Sequence, residues 1–370
     1  MRLILAYASY FFLALSFLPF LAFLPARKTR KIFMATHTVA IIAAHNEEKV
    51  IGDIISDCLK AAFDEIILIA DACTDGTVAL ARQLGVTRIL EVAYHSKTQA
   101  LHHCWAQLTY GQDNAAVLFF FDADNRIKND FLARALPSFY SHNIVQFRIR
   151  NKNSASWISR MYIFNMALYI ATQKAMQRLG LTATIGGTGW GIRSLIAKHY
   201  PFVCETVVDD MEYTMRVKEK VYFTTDAEVE DEKPTNFFAS YRQRIRWTRG
   251  SFQLLFSDWR NYDYKKLYML IITSISKLYV ITCFLFARFP HTWAGWGSYF
   301  FLLFAFSTLI IIPFLDTKDL QQLKLYDFLI APLFGMTFYP ITFWSLLTYK
   351  TKKWYRTPHS GVRDVAKNME

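Results

Sequence analysis

Between residues 36 and 124, short apolar runs alternate with segments of helical character. THTVAIIAAH (36–45) is rich in β-branched residues, DEIILIAD (64–71) is a second such run, and AAVLFFFDAD ends at Asp124. Unbroken apolar runs of this length mark strands buried on both faces. EEKVIGDIISDCLKAA (47–62) has helical spacing, further helices are expected at 77–84 and 97–108, and a short strand at 87–92. This rhythm predicts an α/β domain with a mostly parallel sheet and helices on both faces. In such sheets ligands gather at the carboxyl ends of the strands. The polar residues cluster there: His45 and Glu47 after the first strand, Asp71 after the second, Asp122 and Asp124 after the last.

Longer apolar stretches flank this domain. Residues 3–25 carry no charge and exceed the roughly 20 residues that cross a bilayer. Arg27, Lys28, Arg30 and Lys31 follow, which places the next segment in the cytoplasm. Residues 267–287, 293–315 and 328–349 are also long enough to span, although Lys277 interrupts the first and Pro332 and Pro340 the third. Four crossings would put the tail outside, yet Lys350, Lys352, Lys353 and Arg356 favour the inside. One C-terminal segment is therefore expected not to cross fully. The plan is a transmembrane helix at 1–26, a cytoplasmic domain at 36–233, an interfacial helix at 234–260, membrane segments at 267–349 and a basic tail at 350–370.

Composition agrees with a multi-pass cell-membrane protein, since 53% of the 370 residues are hydrophobic while 19% remain charged. The five cysteines are scattered without CxxC spacing, and so read as reduced thiols. A net charge of +12 suits anionic membrane lipids, and no nucleic-acid recognition motif accompanies it, so no nucleic-acid partner is expected.

Three clusters carry candidate chemistry. Asp122 and Asp124 stand two apart at a strand end, a spacing that suits a hard divalent cation bridging phosphate oxygens; a plain strand-ending turn explains DADN equally well. In VVDDMEY, Asp209, Asp210 and Glu212 crowd together, so one carboxyl can have a raised pKa and accept a proton; a solvated, Asp-rich helix start is the other reading. In YRQRIRWTRG (241–250), Gln243, Arg246 and Trp247 share one helical face. That face offers an amide, a donor fork and an aromatic plate, suited to a diphosphate and a sugar. Arg242 and Arg249 point elsewhere and are expected to meet lipid phosphates. There is no P-loop, and GGTGWG (186–191) lacks the preceding strand of a dinucleotide motif.

Taken in order, AAHNEE, ADACTDGT, HSKTQAL, FFFDADN, GGTGWGIR, VDDMEY, DEKPT and QRIRW resemble the membrane-integrated family-2 glycosyltransferases, which include cellulose, hyaluronan, chitin-oligosaccharide and poly-N-acetylglucosamine synthases and ceramide glucosyltransferase. The resemblance covers most of residues 36–250 and implies a nucleotide-sugar-binding domain of the GT-A type. It implies that Asp71 contacts the nucleotide base, that His45, Glu47 and Lys97 lie on the nucleotide side, and that Asp122 and Asp124 hold Mg2+ or Mn2+ against the diphosphate. Asp210 falls on the catalytic base. Gln243, Arg246 and Trp247 match the QxxRW motif that binds the diphosphate and the acceptor.

Two positions depart from the pattern: Asp209 replaces the usual Glu, and Thr188 and Trp190 stand on the acceptor side. Trp190 is either a stacking platform for the acceptor sugar or a membrane-interface anchor. Residues 156–177 would lie along the membrane or form an ordinary core helix. The implied reaction is inverting transfer from a UDP-sugar, of UDP-GlcNAc or UDP-glucose type, to a growing β-linked glycan; single transfer to a membrane lipid is the alternative. A non-catalytic transporter or scaffold is the reading that the intact acidic and QxxRW positions argue against. So few spans make a narrow channel, which implies a homo-oligomer or an accessory export protein.

Overall fold

The computed structural model describes residues 33–270 and 311–351, except 87, 109 and 111–114, together with position 21. The expected span at 3–25, nearly all of those at 267–287 and 293–315, and the tail beyond 351 lie outside the described residues.

β1 (Thr38–Ala44), β2 (Glu65–Asp71), β3 (Arg88–Val92) and β4 (Val117–Asp122) form the parallel half of an eight-stranded sheet, in the order β3-β2-β1-β4. β1, β2 and β4 are buried almost throughout, which is why they read as continuous apolar runs. α1 (Ile51–Lys60) and α2 (Thr77–Gln83) cover one face, where Ile51, Ile54 and Cys58 meet Ile42, Leu68 and Phe119. α3 (Lys97–Leu108) covers the other through Leu101, Trp105 and Leu108. Helix starts and strand ends therefore converge at one edge of the sheet.

β5 (Arg126–Ile127), β6 (Ile144–Asn151), β7 (Trp190–Arg193) and β8 (Val221–Asp231) continue the sheet in the order β4-β7-β6-β8-β5. The sheet is mixed but mostly parallel, as expected: four of its seven strand pairings are parallel. β7 runs antiparallel to both β4 and β6, and β5 antiparallel to β8; in this half only β6 and β8 are parallel. All of β6 is buried although it carries Gln146, Arg148, Arg150 and Asn151. Each of these side chains has a hydrogen-bond partner, although Arg148 Nε, Arg150 Nε and Asn151 Oδ1 are left without one. Gln146 Nε2 donates to the Gly189 and Thr188 carbonyls at 2.9 and 3.0 Å.

Seven more α-helices follow α4 (Phe131–Ala135) in the described fold. α5 (Trp157–Arg178) is capped by Ser156, whose Oγ accepts from the Ser159 amide at 3.0 Å. It is largely buried, which supports the core-helix reading of residues 156–177. α6 (Ser194–His199), α7 (Asp209–Arg216) and α8 (Phe237–Leu255) follow, α8 with Asn236 as its cap. α9 (Thr317–Gln322) starts in a capping box between Asp316 and Asp319. α10 (Asp327–Met336) and α11 (Phe338–Leu347) meet at Thr337, and Pro332 lies inside α10. Asp327–Leu347 is, among the described residues, the stretch long and apolar enough to cross a membrane.

These C-terminal helices are locked to the α/β domain by buried charges. Arg148 reaches Asp316 at 2.8 Å and Asp319 at 2.9 Å; Arg150 reaches Asp319 at 2.7 Å and Glu228 at 2.8 Å. Arg160 on α5 holds the fully buried Asp327 at 2.7 Å. α8 is the other tether. Arg249, expected to reach lipid phosphates, is buried instead and donates to Thr348 Oγ1 at 2.8 Å. Arg244 is fully buried, donates to Thr337 Oγ1 at 2.6 Å and lies 4.1 Å from the centre of the Phe334 ring. Arg242 is exposed, as expected.

Candidate active site

The site is built at the carboxyl edge of the sheet. β4 ends at Asp122, and the turn that follows carries the buried Asp124 and Asn125. Asn125 organises this turn: its Oδ1 accepts from the Asp122 amide at 3.0 Å, and its Nδ2 donates to Asp231 Oδ1 at 3.1 Å. Asp231, at the end of β8, completes a group in which one carboxylate oxygen each from Asp122, Asp124 and Asp231 lies within 4.8 Å of the others. Three hard oxygen donors around one point are a donor set able to hold a divalent metal ion. Lys97 Nζ donates to Asp122 and Lys233 Nζ to Asp231, so each of these carboxylates has a cation beside it. Sequence reading missed the part played by Asp231. The motif DEKPT contains it, but only the fold, through the pairing of β5 with β8, brings it to the β4 turn.

α3 connects this acidic group to a second one. Its first residue, Lys97, also donates to the Gly187 carbonyl at 3.1 Å, and its second, Thr98, donates to Asp209 Oδ2 at 2.7 Å. Asp209 and Asp210 open α7, where the Met211 amide donates to Asp210 Oδ1 at 2.8 Å. Gly187 faces Asp210 with φ of 84°, a left-handed backbone that glycine alone adopts without strain. A Cβ there would lie 3.4 Å from Asp210 Oδ2.

Burial pushes the Asp210 carboxyl up to about 7, with the Asp209 charge adding to the rise, while the Met211 amide, Lys97 and Arg246 oppose it. Lys97 is held above its usual range: burial works against its charge, but Asp122, Asp209 and Asp210 outweigh it. Glu212 is not part of this group, because it is buried against Arg216 at 2.7 Å and accepts from the Glu205 and Thr206 amides.

The QxxRW face of α8 closes the site. Burial lowers the Arg246 pKa, and the charges of Asp209, Asp210 and Asp122 oppose that shift. Gln243 Oε1 accepts from Tyr162 Oη at 2.9 Å, and the Trp247 ring meets Tyr162 edge-on at 6.2 Å. Tyr162, on α5, thus braces two of the three QxxRW residues. Sequence reading assigned it no role.

On the nucleotide side, Asp71 ends β2 with both carboxylate oxygens engaged. Oδ1 accepts from the Tyr94 and His95 amides at 2.6 and 3.0 Å, and Oδ2 from the Ser96 amide at 2.6 Å. It thereby shapes the loop between β3 and α3. His45 Nδ1 lies 2.5 Å from the Asp71 carbonyl, and the Glu47 amide donates to Thr77 Oγ1 at 2.8 Å. These residues share one edge with Lys97 and Asp122.

Two acceptor-side expectations need correction. Trp190 is 3% exposed and stacks on Phe120 with ring centres 4.2 Å apart, so it offers no open face to a sugar or to a membrane interface. It helps line a cavity of about 20 Å3 beneath Lys97, Asp209 and Asp210, an apolar floor that contributes to the desolvation of Asp210. Thr188 is also buried; its Oγ1 accepts from the Asp122 amide at 3.0 Å and donates to Asn125. Both residues shape the site from below.

This arrangement of fold and acidic edge is that of a sugar-transfer domain. Residues 36–250 match the glycosyltransferase-like family 2 profile, and the chain belongs to that family. It is similar to a β-monoglucosyldiacylglycerol synthase of Synechocystis sp., at 28% identity over 238 residues covering 60% of this chain and 49% of that protein. It is also similar to a poly-β-1,6-N-acetyl-D-glucosamine synthase of Staphylococcus epidermidis, at 23% identity over 339 residues covering 82% and 79%. The chain thus spans about half the length of the glucosyldiacylglycerol synthases it matches. In structure it shares the fold of a mannosyltransferase from Pyrobaculum calidifontis solved with GDP-Man and Mn2+, with a TM-score of 0.55, 14% identity and coverage of 84% and 97%.

Proposed function

We propose that this chain is an inverting glycosyltransferase that moves a sugar from a UDP-sugar, of UDP-GlcNAc or UDP-glucose type, to a hydroxyl of a growing β-linked glycan at the cytoplasmic membrane face. The observation that carries this reading is a carboxyl held near neutrality, Asp210, beside a guanidinium, an ammonium and a set of three metal-competent carboxylates.

Each residue then has a task. Asp210 takes the proton of the acceptor hydroxyl, which attacks the anomeric carbon from the face opposite the diphosphate, so an α-linked donor yields a β-linked product. Arg246 and Lys97 receive the charge that develops on the leaving diphosphate. Asp122, Asp124 and Asp231 would hold Mg2+ or Mn2+, which when bound neutralises the diphosphate as a Lewis acid. Asp71, His45 and Glu47 form the nucleotide edge, and Gln243 and Trp247 orient the acceptor end.

A lipid acceptor is the second reading, supported by the similarity to glucosyldiacylglycerol synthases. Incubating membranes that contain the chain with a panel of radiolabelled nucleotide sugars and Mn2+, then sizing the products, tests both. A polymer labelled from a UDP-sugar is expected. A single labelled lipid would establish the second reading, and no transfer from any UDP-sugar would overturn both.

A further inference from the structure

We propose that Gly250 and Gln253 are positioning residues for the base: they seat the chain leading into α7 against α8, and so fix Asp210 relative to Arg246. This rests on the reading of Asp210 as the base in the function proposed above. The two residues extend the QxxRW stripe. Gln243, Arg246, Gly250 and Gln253 recur at three- and four-residue intervals, so they line one face of α8. The first half of that face carries the amide and the guanidinium assigned to the substrate. The second half meets Val207 and Val208, the two residues ahead of Asp209.

Local structure leaves the start of α7 to be placed by its neighbours. Val208 is the N-cap of α7 and supplies no capping side chain. The residues before α7 are fixed from two sides instead. Glu212, on α7 itself, accepts from the Glu205 and Thr206 amides at 2.8 and 2.7 Å. Gln253 Oε1 accepts from the Val207 amide at 2.9 Å, while its Nε2 donates to the Tyr349 carbonyl at 2.7 Å. Gly250 is buried against Val208: a Cβ built on it would fall 2.6 Å from Val208 Cγ2 and 2.9 Å from Val208 Cβ. Rotating the Val208 side chain relieves the first approach but not the second. Only a residue without a Cβ lets the two backbones come this close. Alanine is the better helix former, so glycine at 250 serves the close approach and not the helix. Leu254, four residues further along α8, continues the contact by packing in one cluster with Met211 and Met215 of α7.

The consequence for the chemistry is one of distance. In an inverting displacement the base and the cation that receives the diphosphate act on opposite sides of the anomeric carbon. The reacting atoms must come within about 3–3.5 Å, and a misplacement of about 1 Å can cost about 100-fold in rate. Asp210 is two residues past Val208, and Arg246 is one helical turn before Gly250. The contact that sets the Val208 and Gly250 backbones therefore sets the spacing of base and cation, whose charges already act on each other. A methyl group at position 250 has to part the two segments by about 1 Å to reach ordinary carbon–carbon contact.

The test uses the full chain in detergent with Mn2+ and the UDP-sugar that the donor panel selects. Gly250→Ala is expected to lower kcat about 10-fold or more, while the donor Kd by calorimetry stays within about two-fold of the parent's. Val208→Gly removes the atoms that the new methyl would meet, so in that background Gly250→Ala should lower kcat by less than about three-fold. Gln253→Met removes the bond to the Val207 amide at similar volume, and should lower kcat about three-fold or more at unchanged donor Kd. A Gly250→Ala chain with the parent's kcat, an equal loss in both backgrounds, or a donor Kd that weakens in step with kcat would each overturn the proposal. If Gly250→Ala does not fold, Gln253→Met decides, and a parent-like kcat in that variant overturns it. An unsubstituted chain that transfers no sugar from any UDP-sugar overturns the functional reading and this role with it. An active parent with indifferent variants overturns the positioning role alone.

Discussion

Asp210→Asn should abolish sugar transfer and at the same time stabilise the protein. The carboxyl rises from the ordinary 3.8 to about 7, because burial and Asp209 disfavour its charge more than Lys97, Arg246 and the Met211 amide favour it. At about 1.36 kcal/mol per pH unit, ionised Asp210 costs the folded state up to about 4 kcal/mol. The sign fixes the pH window. Below about pH 4 the group is protonated folded and unfolded, and the cost is nil. As pH rises from there the unfolded chain ionises first, so the cost grows, and it levels off once the folded group ionises above about 7. Asparagine keeps the shape and carries no charge. For a domain of this size about 1 kcal/mol moves Tm by roughly 2–4 °C, so Asp210→Asn should melt about 10 °C higher at about pH 8. The gain should shrink towards about pH 5. Thermal unfolding in detergent at the two pH values reads this directly, and transfer should fall by about 100-fold or more. A variant no more stable than the parent at high pH, or one that gains equally at both pH values, would refute the placement of a buried, near-neutral carboxyl at this position.

Other outcomes follow from the same geometry. Asp209→Asn removes the like charge beside Asp210, so the acid limb of the pH–rate profile should move down by about one pH unit; an unmoved limb would show that the two carboxyls do not interact. Asp231→Asn should weaken Mn2+ binding about 10-fold or more by calorimetry on the donor-free protein, and unchanged affinity would exclude it from the metal group. Arg150→Met leaves Asp316 and Asp319 short of a buried partner and should cost about 3–5 kcal/mol in chemical denaturation. A loss below about 1 kcal/mol would mean the pairing does not lock α9 to the sheet. Trp247→Ala should reduce acceptor elongation more than donor hydrolysis, and equal losses would count against its acceptor role.

The parallel half of the fold was legible because β1, β2 and β4 are buried on both faces and therefore unbroken in the sequence. β6 was not legible, for the opposite reason. It is equally buried but carries Arg148 and Arg150, whose partners Asp316 and Asp319 lie far along the chain and show only in the fold. The acidic pairs at Asp122/Asp124 and Asp209/Asp210 were visible as local spacing. Their meeting across α3, through Lys97 and Thr98, was not. Helical spacing placed Gln243, Arg246 and Trp247 on one face but gave no sign that α10 and α11 cover the opposite face of α8. That cover is why Arg249 is buried where lipid contact was expected. Trp190 misled for a similar reason, since an aromatic in a glycine-rich loop reads as accessible until β7 inserts beside β4 and stacks it on Phe120.

As the catalytic base, Asp210 should carry transfer without carrying donor binding. Purified chain and Asp210→Asn, assayed side by side with Mn2+ and the UDP-sugar that the donor panel selects, should bind the donor with similar Kd by calorimetry. The unsubstituted chain alone should form a β-linked product. Transfer by Asp210→Asn at the parent's rate, or a product that keeps the donor's α configuration, would contradict it.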